Sequence, residues 1–141
     1  AAKKSQSRRR IFLITGDDEL AEGSNWEAAL AAAHYGLDNL VIINDKNNLQ
    51  LAGPTREIMN TDPLAEKWLA FGMQVTECQG NDMASVVATL EELKQEGKPN
   101  VVIAHTTKGA GISFIQGRAE WHHRVPKGDE IEQALEELKD A

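Results

Sequence analysis

Acidic and amide side chains follow two short apolar runs of this 141-residue sequence. Asp17 and Asp18 come after the run IFLIT, and Asp45 and Asn47 come after the run LVII. Carboxylate and amide oxygens are ligands for hard divalent cations, and Mg2+ completes its coordination shell with phosphate oxygens and water. These residue types therefore predict a site for Mg2+ or Ca2+ that takes a phosphorylated ligand. Helix capping and turn formation, for which Asp and Asn are also favoured, are the alternative interpretation.

Strands and helices must alternate along the chain to position these side chains. Short apolar runs predict strands at residues 11–15, 40–43, 73–78 and 101–104, and helical spacing predicts helices near residues 24–36, 63–71, 83–93 and 131–138. Strands separated by helices pair in parallel, because a parallel connection has to cross over the sheet. The predicted fold is α/β, with a doubly wound, mainly parallel sheet and helices on both faces. Ligands of such sheets bind beyond the carboxyl ends of the strands.

Three further local features complete this prediction. The first strand is a continuous apolar run and is expected to be buried on both faces. The connections at residues 45–61 and 107–126 are unusually long, and loops beyond about 12–15 residues are often functional. The single cysteine, Cys78, is expected to be a buried thiol without a disulfide partner.

Charge and composition limit the classes of partner. The chain has 15 Lys and Arg residues against 22 Asp and Glu residues, a net charge of -7. An acidic body disfavours nucleic acid, and no apolar stretch approaches the roughly 20 residues that span a bilayer. We therefore expect a cytoplasmic domain over residues 11–141, preceded by a basic, flexible lead-in over residues 1–10. No phosphate loop, dinucleotide fingerprint or nucleophile elbow is present.

A longer pattern connects the two acidic segments. The motif GD-x-x-L-x-EG-x-x-W-E-A covers residues 16–28, and Asn47 follows Asp17 by thirty positions. This spacing resembles the thiamine-diphosphate signature of transketolases. The resemblance continues through LAGPT, PLAEKWLAFG, GND, TTKGAGISF and EWHHRVP, and it covers about residues 11–138. The sequence is thus similar to the pyrophosphate-binding domain of that family, with the N-terminal part of the domain missing.

The resemblance implies thiamine diphosphate and a divalent metal as cofactors. The side chains of Asp17 and Asn47 and the backbone carbonyl of Leu49 would bind the metal. The positions that would contact the cofactor are Gly16, Asp17, Asp18, Asn47, Leu51 and His122. Leu51 would line the thiazolium ring and His122 would contact the diphosphate. Gly16 would permit close approach of the backbone.

The resemblance also implies an assembly. Glu22 and Glu27 match carboxylates that connect two cofactor sites at the family's dimer interface, and the alanine-rich segment 28–33 suits close helix packing. The expected partner is a second copy or a companion chain that carries the pyrimidine-binding domain. The full assembly would transfer a two-carbon ketol unit between sugar phosphates. This chain alone is expected to be inactive.

Asp18 is the main departure from the family pattern, which has glycine at this position. A carboxylate there either repels the diphosphate or serves as an extra metal ligand. Two alternatives therefore accompany the transketolase hypothesis. One is a receiver-like signalling module, in which Asp17, Asp18, Asp45 and Lys108 would form a phospho-acceptor pocket. The other is a catalytically silent scaffold or engineered fragment of the same fold.

Overall fold

The computed structural model describes residues 1–139 and has six strands and five α-helices. The strands are β1 Ile11–Gly16, β2 Leu40–Lys46, β3 Leu49–Gln50, β4 Gly53–Pro54, β5 Gln74–Gln79 and β6 Asn100–His105. The helices are α1 Gly23–His34, α2 Thr55–Ile58, α3 Leu64–Ala70, α4 Met83–Glu92 and α5 Asp129–Glu137, with 3-10 turns at Glu19–Ala21 and Ala119–His122. The domain predicted over residues 11–141 ends two residues beyond the described part of the chain.

The central sheet is parallel and has the order β1-β2-β6-β5. The chain moves outward from β1 to β2 to β5 and then returns to β6, so the winding direction reverses at β5. Gly16 pairs with Asp45, and Asp45 pairs with Ala104. The carboxyl ends of β1, β2 and β6 therefore meet at one edge of the sheet, as the predicted doubly wound α/β fold requires.

Helices cover both faces of this sheet. α1 and α3 pack on one face, where Ala29, Ala32, Leu64 and Trp68 contact the cluster that includes Ile103. α4 packs on the other face through Val86 and Leu90, against a cluster that includes Val102 and Ala104. Alternate residues of β6 thus pack on opposite faces of the sheet, because successive side chains of a strand point to opposite sides.

β1 differs from its prediction, because it forms an edge of the sheet and is largely exposed. Phe12 is 51% exposed and Ile14 is 72% exposed, while Thr15 at the end of the strand is buried. The prediction that this strand is buried on both faces is wrong. A continuous apolar run marks a strand that favours burial, but it does not specify how many neighbours cover it.

The segment predicted as one polar loop at residues 45–61 contains short regular elements. β3 and β4 form an antiparallel hairpin of two residue pairs, and α2 follows it directly. Asn48 adopts a positive φ of 61°, which Asn tolerates better than most residues. Its carbonyl accepts a hydrogen bond from the Thr55 amide at 3.0 Å, which closes the hairpin at its base.

Both ends of the described chain form polar contacts with other parts of the domain. Lys3 forms an ion pair with Asp38 at 2.7 Å, and Ser113 donates hydrogen bonds from its amide and hydroxyl to Glu137 of α5. Cys78 is buried, as predicted. Within residues 1–139, none of the helices combines the length and the apolarity needed to cross a membrane.

Candidate functional site

Asp17 is the centre of the candidate site, at the carboxyl end of β1. Its side chain is buried. Its Oδ2 atom accepts hydrogen bonds from the backbone amides of Asn47 at 2.9 Å and Asn48 at 2.7 Å. The structure therefore brings together Asp17 and Asn47, which the sequence predicted as metal ligands. Both of these hydrogen bonds from the described residues go to Oδ2, so Oδ1 is the oxygen available to a bound cation.

Burial raises the pKa of the Asp17 carboxyl above its ordinary value. The amides of Asn48 and Asn47 and the charge of Lys46 act in the opposite direction, but desolvation is the larger effect. The folded protein without a cation therefore stabilises the charged form of Asp17 less than water does. A divalent cation beside it would favour the charged form.

Asn47 and Leu49 form a compact turn directly after β2. The Oδ1 atom of Asn47 accepts a hydrogen bond from the Leu49 amide at 2.9 Å. An amide oxygen has two lone pairs, so this contact leaves one of them for a metal. Leu49 follows Asn47 by two residues in the same turn. This position is compatible with the predicted role of the Leu49 carbonyl as a metal ligand.

Asp18 contacts a different part of the hairpin. Its Oδ2 atom accepts a hydrogen bond from the Leu51 amide at 3.2 Å. Leu51 lies in the turn between β3 and β4, and its side chain is 52% exposed. Asp18 and Leu51 were both predicted to contact the cofactor, and this hydrogen bond joins the two segments that contain them.

Glu19 belongs to the same loop and was not predicted as a site residue. Its Oε2 atom accepts a hydrogen bond from the Gly16 amide at 2.5 Å. A methyl group added at Gly16 would lie 2.8 Å from that oxygen, so the Glu19 side chain would have to shift to accommodate it. The spacing of a carboxylate three residues after a glycine is a local signal that could have identified this contact.

Charged pairs at the neighbouring strand ends were also missed from the sequence. Lys46 pairs with Asp62, and His105 contacts Glu77 at 2.5 Å between Nε2 and Oε2. These four side chains line a cavity of about 290 Å³. The Thr106 hydroxyl donates to the Asp45 carboxylate, which ties the end of β6 to the end of β2. Long-range pairs of this kind have no local sequence signal.

His122, Glu22 and Glu27 lie apart from these contacts. His122 ends a 3-10 turn and packs edge-on against His123, with ring centroids 4.6 Å apart. Within residues 1–139 it forms no hydrogen bond or ion pair with the segments around Asp17. Glu22 and Glu27 are exposed at the start of α1 and on its outer surface. The predicted roles of these three residues stay predictions.

The donor set fits a divalent cation that binds a diphosphate. One buried carboxylate, one amide oxygen and one backbone carbonyl are hard oxygen ligands, and too few to fill an octahedral shell. No group of three or more His, Cys, Asp or Glu side chains that could hold a metal is present in the described residues. A metal here would therefore depend on the asparagine, the carbonyl and oxygens from the ligand itself.

Comparison with known families decides the family. Residues 2–139 match the family model described as the thiamine diphosphate binding domain of transketolase. The chain belongs to the transketolase family. This confirms the resemblance noted from the sequence, and it favours that family over a receiver-like module. The parallel α/β fold agrees with the match.

Relatives of this family cover nearly all of the chain. It is 73% identical over 140 residues to an apulose-4-phosphate transketolase subunit from Actinobacillus succinogenes, with 99% of this chain and 51% of that protein covered. It is 37% identical over 130 residues to a 6-deoxy-6-sulfo-D-fructose transketolase subunit from a Clostridium species, with 92% of this chain and 47% of that protein covered. The chain thus spans about half the length of these curated relatives.

A solved structure gives the same result for the fold. The crystal structure of transketolase from Campylobacter jejuni superposes with a TM-score of 0.87 at 31% identity, covering 96% of this chain and 22% of that chain. The transketolase-family fold is therefore shared across the described domain.

Proposed function

We propose that this domain binds the diphosphate of thiamine diphosphate through a divalent metal, with Asp17 and Asn47 as side-chain ligands and the Leu49 carbonyl as a third. The observation that carries the proposal is the buried Asp17 carboxylate, held against the segment that contains the other two ligands. Its raised pKa supports the proposal, because a bound cation would offset the cost of the buried charge. Mg2+ suits the oxygen ligands, and Ca2+ is the alternative metal.

The local charge supports a metal-bridged diphosphate. Asp17, Glu19 and Asp45 all lie at or just after the carboxyl ends of β1 and β2. These acids would repel a diphosphate that approached without a cation. A divalent ion between the carboxylates and the phosphates neutralises both, so cofactor binding is expected to require the metal.

The residues of this chain would bind and orient the cofactor. Asp17 and Asn47 would fix the metal, Gly16 would permit close backbone approach, and Leu51 would contact the thiazolium ring. His122 would add a contact to the diphosphate. When bound, thiamine diphosphate supplies the carbanion chemistry of two-carbon ketol transfer.

The longer protein or assembly would act on sugar phosphates in the cytoplasm. Two of the matched relatives are named as transketolase subunits, and this supports a companion chain that supplies the pyrimidine-binding domain. Ketol transfer is then expected only when both parts are present. Because the 73% identical relative is named for apulose-4-phosphate, that compound is the first substrate to assay. Turnover by residues 1–141 alone would contradict the requirement for a second part.

The outer surface of α1 is the proposed contact with that companion or with a second copy. Glu27, Leu30 and Ala31 share this exposed surface at helical spacing, and Leu30 is 59% exposed. Leu30→Asp is expected to shift the assembly to smaller species in sedimentation velocity. Met83→Asp, at another exposed apolar position, on α4, is the control. An unchanged assembly in Leu30→Asp would exclude this surface.

Calorimetric titration with thiamine diphosphate, with and without Mg2+, tests the cofactor proposal. Binding is expected only with Mg2+, and Asp17→Ala and Asn47→Ala are each expected to weaken it by at least about tenfold. Glu92→Ala, which removes an exposed carboxylate from the end of α4, should bind normally. If the folded protein does not bind the cofactor, the silent-scaffold alternative replaces this proposal.

A further inference from the structure

Asp18 stands where the transketolase signature has glycine, and its carboxylate contacts the hairpin instead of lying free in the loop. The distance from its Oδ2 atom to the Leu51 nitrogen is 3.2 Å. This contact joins the loop after β1 to the turn between β3 and β4, 33 residues later in the chain. A hydrogen bond from an amide to an ionised carboxylate is stronger than one between neutral groups.

The neighbouring aspartate holds the other end of the same segment. Asp17 accepts the amides of Asn47 and Asn48, and Asp18 accepts the amide of Leu51. The carboxylates of Asp17 and Asp18 therefore form hydrogen bonds with both ends of the segment 47–51. This segment contains the predicted metal ligands and the predicted thiazolium contact.

The hairpin depends on such contacts because it is very short. Its ladder has only the pairs Leu49 with Pro54 and Gln50 with Gly53. An isolated two-stranded hairpin is at best marginally stable in water. The Gln50 side chain donates to the Met59 carbonyl, and at the base of the hairpin the Thr55 amide donates to the Asn48 carbonyl, but the Asp18 contact is at the turn itself.

We propose that Asp18 is a positioning residue that holds the Leu51 turn in place for the cofactor, rather than a metal ligand or a relic that repels the diphosphate. The proposal rests on the proposed function, because Leu51 matters to catalysis only if it contacts the cofactor. Its structural part, that Asp18 orders Leu51, does not depend on cofactor binding. The two parts can therefore be tested separately.

The test combines amide hydrogen exchange at Leu51 with titration of the natural full-length protein by thiamine diphosphate and Mg2+. Asp18→Ala is expected to speed exchange at Leu51 in the cofactor-free protein about tenfold and to weaken cofactor binding about tenfold. Asp18→Asn retains an oxygen acceptor and is expected to stay within about threefold of the unmodified protein in both measurements. Glu92→Ala is the control for loss of one carboxylate elsewhere.

Three results would overturn the proposal. Unchanged exchange at Leu51 in Asp18→Ala would show that the carboxylate does not order the turn. Tighter cofactor binding by Asp18→Ala would show that repulsion of the diphosphate dominates. Equal weakening by Asp18→Ala and Asp18→Asn, with Leu51 still protected, would assign Asp18 to the metal. Failure of the proposed function is distinguishable, because the unmodified protein would then not bind the cofactor, or Asp17→Ala would bind it as tightly as the unmodified protein, while the exchange result at Leu51 still held.

Discussion

At the level of single residues, the buried carboxyl of Asp17 is harder to ionise in the metal-free protein than in water. Burial raises the pKa of this carboxyl, so ionisation reduces the stability of the metal-free fold. Asn has nearly the same shape and its oxygen can still accept the amides of Asn47 and Asn48. Asp17→Asn is therefore expected to raise the melting temperature of the metal-free protein by a few degrees while it weakens Mg2+-dependent cofactor binding by at least about tenfold. Thermal unfolding at neutral pH measures the first effect, and a lower melting temperature would contradict it.

For Asp62 the effect on stability is the opposite, because ionisation of its carboxyl stabilises the fold. The hydrogen bond from Lys46 lowers the pKa of the Asp62 carboxyl, and its carboxylate is half exposed. The pair therefore stabilises the fold above about pH 4 and loses this effect as pH falls through the lowered pKa. Asp62→Asn is expected to reduce the free energy of unfolding by up to about 1 kcal/mol at neutral pH, since exposed pairs are weak.

Urea unfolding of the Asp62→Asn variant and the unmodified protein across acidic pH checks this expectation. The difference between the two proteins should shrink as pH falls from about 4 through the lowered pKa of the paired Asp62 carboxyl. Glu57→Gln, at an exposed carboxylate beside Arg56, is the matched control. If the difference in the free energy of unfolding between the two proteins grew as pH fell, the result would contradict a lowered pKa of Asp62.

At the level of elements, α4 shows how one side chain starts a helix in this fold. Asp82 accepts hydrogen bonds from the amides of Ala84 at 2.9 Å and Ser85 at 3.4 Å. Asp82→Ala is expected to lower the free energy of unfolding by about 1 kcal/mol, because the first-turn amides lose their acceptor. Asp129→Ala removes an acid from the first turn of α5, which has no side-chain cap, and should cost clearly less in the same denaturation experiment. Equal losses would contradict a capping role for Asp82.

The elements around the site could be predicted from the sequence only in part. Apolar runs and turn residues located β1, β2, β5 and β6, and the rule for strand ends placed Asp17 near Asn47. The hairpin within residues 45–61 was missed, because two residue pairs are too short to show alternation. The contact between Asp18 and Leu51 was missed as well, since it depends on how the hairpin packs on the loop.

At the level of the whole molecule, the edge strand β1 is the least covered part of the sheet. Its four apolar residues are between 44% and 72% exposed, and its outer backbone edge has no partner strand in the described residues. Such edges promote association between chains. The apolar pattern of β1 could not reveal this, because it is the same in a central strand.

Isolated residues 1–141 are therefore expected to self-associate at high concentration. Ile14→Lys places a charge on the exposed edge and should reduce light scattering markedly, because a charged edge resists strand pairing. Met83→Lys changes a similarly exposed residue on a helix, which has no open edge, and should have little effect. Equal effects of the two substitutions would indicate general charge repulsion instead of edge pairing.

The central claim is that Asp17, Asn47 and Leu49 bind a metal that holds the diphosphate. Anomalous diffraction from crystals grown with Mn2+ and thiamine diphosphate tests it most directly. One strong peak is expected about 2.0–2.4 Å from a carboxylate oxygen of Asp17, Oδ1 of Asn47 and the Leu49 carbonyl, with cofactor phosphate oxygens completing the shell. Cofactor bound without a metal at these three oxygens would contradict the account.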